Sequence, residues 1–338
     1  MILIVGAGAV GTVLATYLSV AGKEPVHLFM RDKDRAEMAA AQQVRVDTID
    51  GKTLIHRPKP ILVDTLDLTG VDYLFLCVKF ADLLPLLDQL PVAADFPSSC
   101  TIVSTLNGIE PLRVLKRRLP NVRTTPISIM YNAQLLGVLH ARITTKPIVV
   151  LSGDDLRLKS AFGVAGSTAD TGIKVLQAQG ESAVWGKLLI NLANAVCALT
   201  HTTFEDLFTR AEMRHIYVAV LDEAVSLLAR AGIAYQLPMP VTYAIYRWML
   251  LYAGPLSWWI AQRKNGVRSG SYPSMVADVE KGRVTEVTQL NGEVVRLGVQ
   301  HQVKTPVASK IVALVEGMAG QAPPVYLTPL QLELALGL

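Results

Sequence analysis

Residues able to do chemistry fall into three groups along this chain. The first is a glycine turn, Gly6-Ala7-Gly8-Ala9-Val10-Gly11, placed directly after an apolar run at 2–5. Behind a strand and ahead of a helical apolar pattern (Val13, Leu14, Tyr17, Leu18), this spacing marks a pyrophosphate site. Gly6 permits the tight turn, Gly8 lets the backbone approach the phosphates, and Gly11 lets the helix close on the strand. The helix N-terminus then offers unpaired N–H groups and its dipole to negative charge. These residues predict a dinucleotide-binding βαβ unit with Gly6, Ala7, Gly8, Ala9, Val10 and Gly11 against the cofactor. A second strand, 26–30, delivers Arg31 and then Asp32, with Lys33 and Arg35 behind them. An arginine at that place accommodates the 2′-phosphate of NADP, whereas an acidic residue holds the ribose of NAD. The order puts Arg31 first and predicts NADPH/NADP+; the competing reading gives the ribose to Asp32.

The other two groups lie in the second half of the chain. Lys187 and Asn191 are four apart and share one face of an otherwise apolar helix. Burying a lysine lowers its pKa toward the range useful for proton transfer. Ser274 and Asp278 are also four apart, and the stretch continues through Gly282-Arg283-Val284-Thr285-Glu286 to Asn291-Gly292. Glu286 is expected to open an amphipathic helix marked by Val287, Leu290 and Val294. Taken alone, Lys187 and Glu286 read at least as readily as solvated charges. Ser274 reads also as a helix N-cap, and Asp278 reads as structural.

The elements that must position these groups change character along the chain. A near-continuous apolar run at 71–78, ending at Lys79, and a second strand signal at 101–104, leading into Leu106-Asn107-Gly108, alternate with helical segments. That alternation predicts a parallel α/β sheet. Ligands of such sheets bind beyond the carboxyl ends of the strands, where Gly6, Arg31, Lys79 and Asn107 all fall. Runs at 44–47 and 53–56 around Asp50-Gly51 predict a hairpin, and runs at 125–130, 137–142 and 147–151 are expected to extend the sheet. After 178 the apolar period becomes helical. The predicted fold is therefore an α/β N-terminal Rossmann-like dinucleotide-binding domain, 1–178, plus a mainly α-helical C-terminal domain, 179–322, with a peripheral tail at 323–338. Within the helical domain, 233–272 is rich in Pro, Tyr and Trp. It reads as core or as a subunit interface, ahead of a substrate lid, and suggests a homodimer.

Bulk properties exclude several classes. A length of 338 residues suits two domains. Hydrophobic content of 51% and a mean hydropathy of +0.36 raise the question of a membrane. The uncharged stretch 2–22 lacks a basic start and is interrupted by the glycine turn, and 237–261 carries Arg247 and prolines, so no membrane span is expected. A net charge of +4 with scattered basic residues gives no support to nucleic-acid binding. Cys77, Cys100 and Cys197 are odd in number and sit in apolar surroundings, which predicts buried thiols in a reducing cytoplasm. Neither they nor the dispersed histidines show metal-ligand spacing, so no metal is expected.

Through GAGAVG, LCVK (76–79), LNG (106–108), GKLLIN (186–191), SMVADVEKGRVTEVTQLNG (274–292) and Thr305-Pro306, the chain resembles the ketopantoate reductase (2-dehydropantoate 2-reductase) family over most of its length. The resemblance implies NADPH and a branched 2-oxo acid bound in a cleft between the two domains. It implies that Lys187 is the general acid that protonates the substrate carbonyl oxygen as hydride arrives. Glu286 would bind the substrate hydroxyl side, Ser274 the carboxylate, Asn191 would stand beside Lys187, and Lys79 and Asn107 would line the junction of cofactor and substrate. One departure concerns substrate recognition. The family pattern has a second asparagine eight residues after the lysine, at Ala195 here, whereas this chain has Asn194, about 100° away around a helix. The expected activity is reduction of 2-dehydropantoate to pantoate for pantothenate and coenzyme A. The alternatives are the same chemistry on another 2-oxo acid, and a catalytically silent NADP-binding sensor.

Overall fold

The computed structural model describes residues 1–29, 40, 43–56, 61–63, 66–163, 172–321 and 323–338. Arg31, Asp32, Lys33 and Arg35 lie outside them. The chain forms two compact units, Met1–Glu181 and Ser182–Leu338.

The first unit runs β1 (Ile2–Val5), α1 (Ala9–Ala21), β2 (Val26–Phe29), β3 (Val44–Asp47), β4 (Thr53–His56), β5 (Ile61–Val63), β6 (Tyr73–Leu76), α2 (Phe80–Leu87), β7 (Thr101–Ser104), α3 (Glu110–Arg118), β8 (Thr124–Ile129), β9 (Ala133–Gly137), β10 (His140–Ile143), β11 (Ile148–Ser152), α4 (Leu156–Ala161) and β12 (Lys174–Ala178). Eight strands make one sheet in the order β12-β11-β8-β7-β6-β1-β2-β5. Its pairings are parallel except β8 with β11. The central strands β1, β6 and β7 are buried at every position, which is why β1 and β6 are near-unbroken apolar runs, while β7 keeps an apolar centre, Ile102 and Val103, between the buried polar Thr101 and Ser104.

The expected hairpin forms, with Val44 opposite His56 and Asp47 opposite Thr53. The strand signal at 137–142 does not extend the main sheet. β9 and β10 join β3 and β4 in a second sheet of order β4-β3-β10-β9, where β10 runs parallel to β3. The reason lies in the alternation of β10: Ala141 and Ile143 are buried while His140 and Arg142 face outward. A strand with one wet face suits a four-stranded sheet packed on α1, whereas a place inside the large sheet requires two apolar faces.

The second unit is helical: α5 (Ser182–Asn191), α6 (Ala193–Thr200), α7 (Phe204–Thr209), α8 (Ala211–Arg230), α9 (Tyr243–Tyr252), α10 (Gly254–Asn265), α11 (Ser274–Glu280), α12 (Asn291–Gln300), α13 (Pro306–Gly317) and α14 (Pro329–Leu336). The α8 helix buries Met213, Ile216, Tyr217, Val220, Leu221, Ala224, Leu227 and Leu228 along one stripe. Its Glu223 reaches the start of α13, where the carboxylate accepts from the Val307 and Ala308 amides at 3.0 and 2.8 Å and so satisfies two N–H groups that have no partner within the helix. Together α5 and α6 make an apolar rod of 19 residues, long enough to cross a membrane by length and composition. The share of it packed inside the fold is 83%, so it is the core helix pair of this unit.

Two expectations about this unit are corrected. Glu286 does not open a helix: 286–290 form tight turns, in which the Gln289 and Leu290 amides both donate to the Glu286 carbonyl. Leu290 leaves helical geometry at φ −106°, ψ −84°, so α12 begins only at Asn291. The tail is not peripheral throughout. α14 packs on α13, α8 and α6, and Leu332 and Leu336 are buried, because a capping box at Thr328 and Gln331 starts a helix with an apolar side to cover.

Candidate active site

In the first unit the glycine turn lies at the carboxyl end of β1, beside the ends of β6 and β7. The Cys77 amide donates to the Val5 carbonyl at 2.8 Å, and the Thr105 amide donates to the Leu76 carbonyl at 3.2 Å. Each glycine has a measurable reason. Gly6 has φ +108°, and a Cβ there would stand 2.5 Å from the Cys77 carbonyl oxygen. A Cβ on Gly11 would stand 1.8 Å from the Gly6 carbonyl oxygen. At Gly8 the opposite holds: the residue is exposed and an added Cβ meets nothing within 4 Å, so this face of the backbone is open to an approaching group. The first turn of α1 holds no acidic side chain, and no side chain caps its N-terminus. Its amides and dipole thus keep their positive potential, and the cradle fits a pyrophosphate. Lys79 is exposed at the N-cap of α2, directly after β6. Asn107 is half-buried in the turn after β7, so the fold brings Gly6, Gly8, Gly11, Lys79 and Asn107 to one edge of one sheet.

In the second unit, α5 buries Ala183, Val184, Trp185, Gly186, Leu188 and Leu189, while Lys187 and Asn191 are half-buried on the remaining side. The shared face read from their spacing is therefore the one that is not packed into the core. Desolvation pushes the Lys187 ammonium down from 10.5 to about 8, and the negative charge of Glu286 opposes that fall. The turns at 286–290 bring the Glu286 carboxylate into electrostatic range of the α5 lysine, a pairing nearly a hundred positions apart in the chain. Ser274 is exposed at the first turn of α11, a helix that packs on α6. It is not the N-cap: Pro273 occupies that position, and no side chain caps the helix. Asp278 is structural, as expected; it is buried and its carboxylate pairs with Arg283 at 2.6 Å. Ala195 is wholly buried and Asn194 nearly so.

Pattern reading passes over two further residues of this unit. Gly186 precedes Lys187, and a Cβ on it would stand 1.7 Å from the Gln236 carbonyl oxygen. The Gln236 amide in turn donates to the Ser182 carbonyl at 2.9 Å, so the segment after α8 crosses α5 in direct backbone contact beside the lysine. The signal was the glycine in GKLLIN, an expensive residue inside a helix. Asn291 is completely buried, and neither its amide oxygen nor its nitrogen has a hydrogen-bond partner among the described residues. Nothing in the sequence distinguishes it from a surface Asn-Gly turn.

A glycine cradle for a dinucleotide, and a half-buried lysine opposite a carboxylate, define an oxidoreductase of the class that acts on a CH–OH group with a nicotinamide dinucleotide. Family models agree in both halves. Residues 2–153 match Ketopantoate reductase PanE/ApbA, and residues 180–319 match Ketopantoate reductase PanE/ApbA C terminal. The chain belongs to the ketopantoate reductase family. It is 24% identical over 340 residues to a 2-dehydropantoate 2-reductase of Mesorhizobium japonicum, covering 94% of this chain and 97% of the relative. Among solved structures it is similar to a PanE/ApbA family ketopantoate reductase from Ralstonia eutropha JMP134, with TM-score 0.73, 22% identity, and 94% and 98% of the two chains covered. It is equally similar in fold to D-mandelate dehydrogenase in ternary complex with NADH and anilino(oxo)acetate, with TM-score 0.73, 19% identity, and 94% and 98% covered.

Proposed function

We propose that this protein reduces 2-dehydropantoate to pantoate with NADPH, in the cytoplasm, as a step toward pantothenate and coenzyme A. The observation that carries the reading is Lys187: a half-buried lysine, lowered to about 8, facing the charge of Glu286. Hydride addition to a ketone builds negative charge on oxygen, and a positioned cationic donor stabilises that charge and supplies the proton. The cofactor, when bound on the cradle of Gly6, Ala7, Gly8, Ala9, Val10 and Gly11, supplies the hydride. Lys187 donates its Nζ proton to the carbonyl oxygen, and Glu286 keeps that ammonium charged and orients the substrate hydroxyl side. Asn191 holds the substrate beside Lys187, and the Ser274 hydroxyl, exposed and not engaged in capping, donates to the substrate carboxylate. Lys79 and Asn107 contribute to the cofactor edge, and Arg31 to the 2′-phosphate. A silent sensor has no use for a lysine of lowered pKa opposite a carboxylate.

A second reading keeps this chemistry on a bulkier 2-oxo acid. It is favoured by the buried Ala195 at the place where the family pattern has an asparagine, and by the likeness in fold to an enzyme that acts on mandelate. NADPH oxidation by the purified protein, followed with 2-dehydropantoate beside a panel of aliphatic and aromatic 2-oxo acids, tests both. Efficient turnover of 2-dehydropantoate supports the first reading, and preference for an aromatic acid transfers the assignment to the second. No turnover of any acid despite tight NADPH binding refutes the enzyme reading. We infer further that the protein is a homodimer; a dimeric ketopantoate reductase from Staphylococcus aureus has a similar fold, at TM-score 0.68 and 18% identity.

A further inference from the structure

The aromatic segment read as core or interface is divided by the fold into a buried side and an exposed one. Tyr246, Leu250 and Trp258 turn inward, the last stacking on Phe208 at 6.2 Å. Ile245, Trp248 and Tyr252 share the opposite side of α9 at spacings of three and four, and Leu256 and Trp259 continue the exposed apolar surface on α10. Their exposures are 49%, 56%, 74%, 51% and 51%. Side chains of this size carry roughly 150–250 Å² each, so the five leave on the order of 500 Å² of largely apolar surface in water. That is at the upper end of patches on monomers, and more than half of the roughly 800 Å² that each partner gives to a standard interface.

We infer that this face of α9 and α10 is where a second copy of the chain docks, an inference that rests on the homodimer reading above. Composition and charge select this occupant. No Asp or Glu occurs between Glu223 and Asp278, and Lys264 is the sole lysine there, while Trp, Tyr, Met and Arg abound. Depletion of acids and lysine with enrichment of those four types is the signature of the buried centre of protein interfaces. The arginines near the face are engaged within the subunit. Arg247 pairs with Asp222 at 2.9 Å, on a carboxylate that also accepts from the Tyr243 hydroxyl at 2.6 Å, and Arg263 lies over the Trp259 ring at 5.1 Å. An anionic lipid surface would call for cations directed outward. A two-fold axis instead places the same patch against itself, which suits a largely apolar surface whose nearby Arg247 is neutralised by Asp222. Trp248, in ring contact with Tyr252, and Trp259, with its arginine, supply the rigid anchors that dominate such contacts.

The test is sedimentation equilibrium of the full chain at micromolar concentration, wild type beside Trp248→Glu/Trp259→Glu, with melting temperature as a control for folding. Both tryptophans are half-exposed, so the variant is expected to fold. The expected result is a wild-type dimer and a variant whose dissociation constant rises at least 100-fold at unchanged melting temperature. A wild-type monomer overturns the homodimer reading and this inference together. A wild-type dimer that the double variant leaves intact overturns only the face. A wild-type monomer that floats with phosphatidylglycerol vesicles but not with phosphatidylcholine vesicles assigns the face to lipid instead.

Discussion

Replacing Lys187 by methionine separates its chemistry from its cost to folding. Methionine keeps the length and apolar stem of the side chain and removes the charge. The fall from 10.5 to about 8 corresponds, at 1.36 kcal/mol for each pH unit, to roughly 3 kcal/mol against the charged form. Partial exposure of the lysine makes this an upper bound. The sign follows from proton counting. Between pH 8 and 10.5 the unfolded chain holds the lysine proton that the folded chain has released, so wild-type stability rises with pH across that window. Below pH 8 the charged lysine is carried at full cost. Lys187→Met is therefore expected to raise stability at pH 7 by up to about 3 kcal/mol, several degrees in melting temperature for a unit of this size. It should also flatten the rise between pH 8 and 10.5. Turnover should fall by about 10²- to 10⁴-fold, the usual contribution of a general acid, with NADPH affinity nearly unchanged. Urea unfolding at pH 7 and pH 10, with NADPH oxidation at saturating 2-oxo acid, measures all of these. The wild-type rate of reduction should decline as pH rises through about 8, and Glu286→Gln, which removes the charge that holds the lysine up, should move that decline to lower pH. A variant with undiminished turnover refutes the general-acid role. A variant less stable than wild type at pH 7 refutes the account of Lys187 as a desolvated charge.

Three further perturbations follow, two from the geometry and one, at Arg31, from its place in the sequence. Gly8→Ala should leave the melting temperature unchanged and weaken NADPH binding, since an added Cβ meets open space where the pyrophosphate is expected; Gly11→Ala should lower the melting temperature, and equal behaviour of the two variants in both assays would contradict the assignment. Gly186→Ala should destabilise by about 1–3 kcal/mol in urea titration, because backbone must shift to admit the methyl group; a neutral result would show that the Gln236 crossing is not a close packing constraint. Arg31→Ala should weaken NADPH at least tenfold more than NADH by fluorescence titration, and an equal loss for both would remove the 2′-phosphate contact.

Local physics made much of this protein legible. The glycine turn reads from sequence because two of its glycines answer local backbone constraints, Gly6 by its positive φ and Gly11 by having to clear the Gly6 carbonyl, while Gly8 leaves the backbone open. The central strands β1 and β6 read as such because burial on both faces selects apolar residues, and the shared face of Lys187 and Asn191 follows from helical periodicity alone. Other features needed the tertiary structure, since long-range packing decides them. The proximity of Glu286 to Lys187, the surroundings that lower the lysine to about 8, and the turn in place of a helix at 286–290 depend on how distant segments meet. The same is true of β9 and β10, whose partners lie in β3 and β4, and of the aromatic segment, where only the fold decides that Trp258 is core while Trp248 and Trp259 face water. Sequence spacing sets which side chains share a face. Which faces meet is set by the apolar surface that the whole chain must bury, a sum over contacts that no single window of sequence contains.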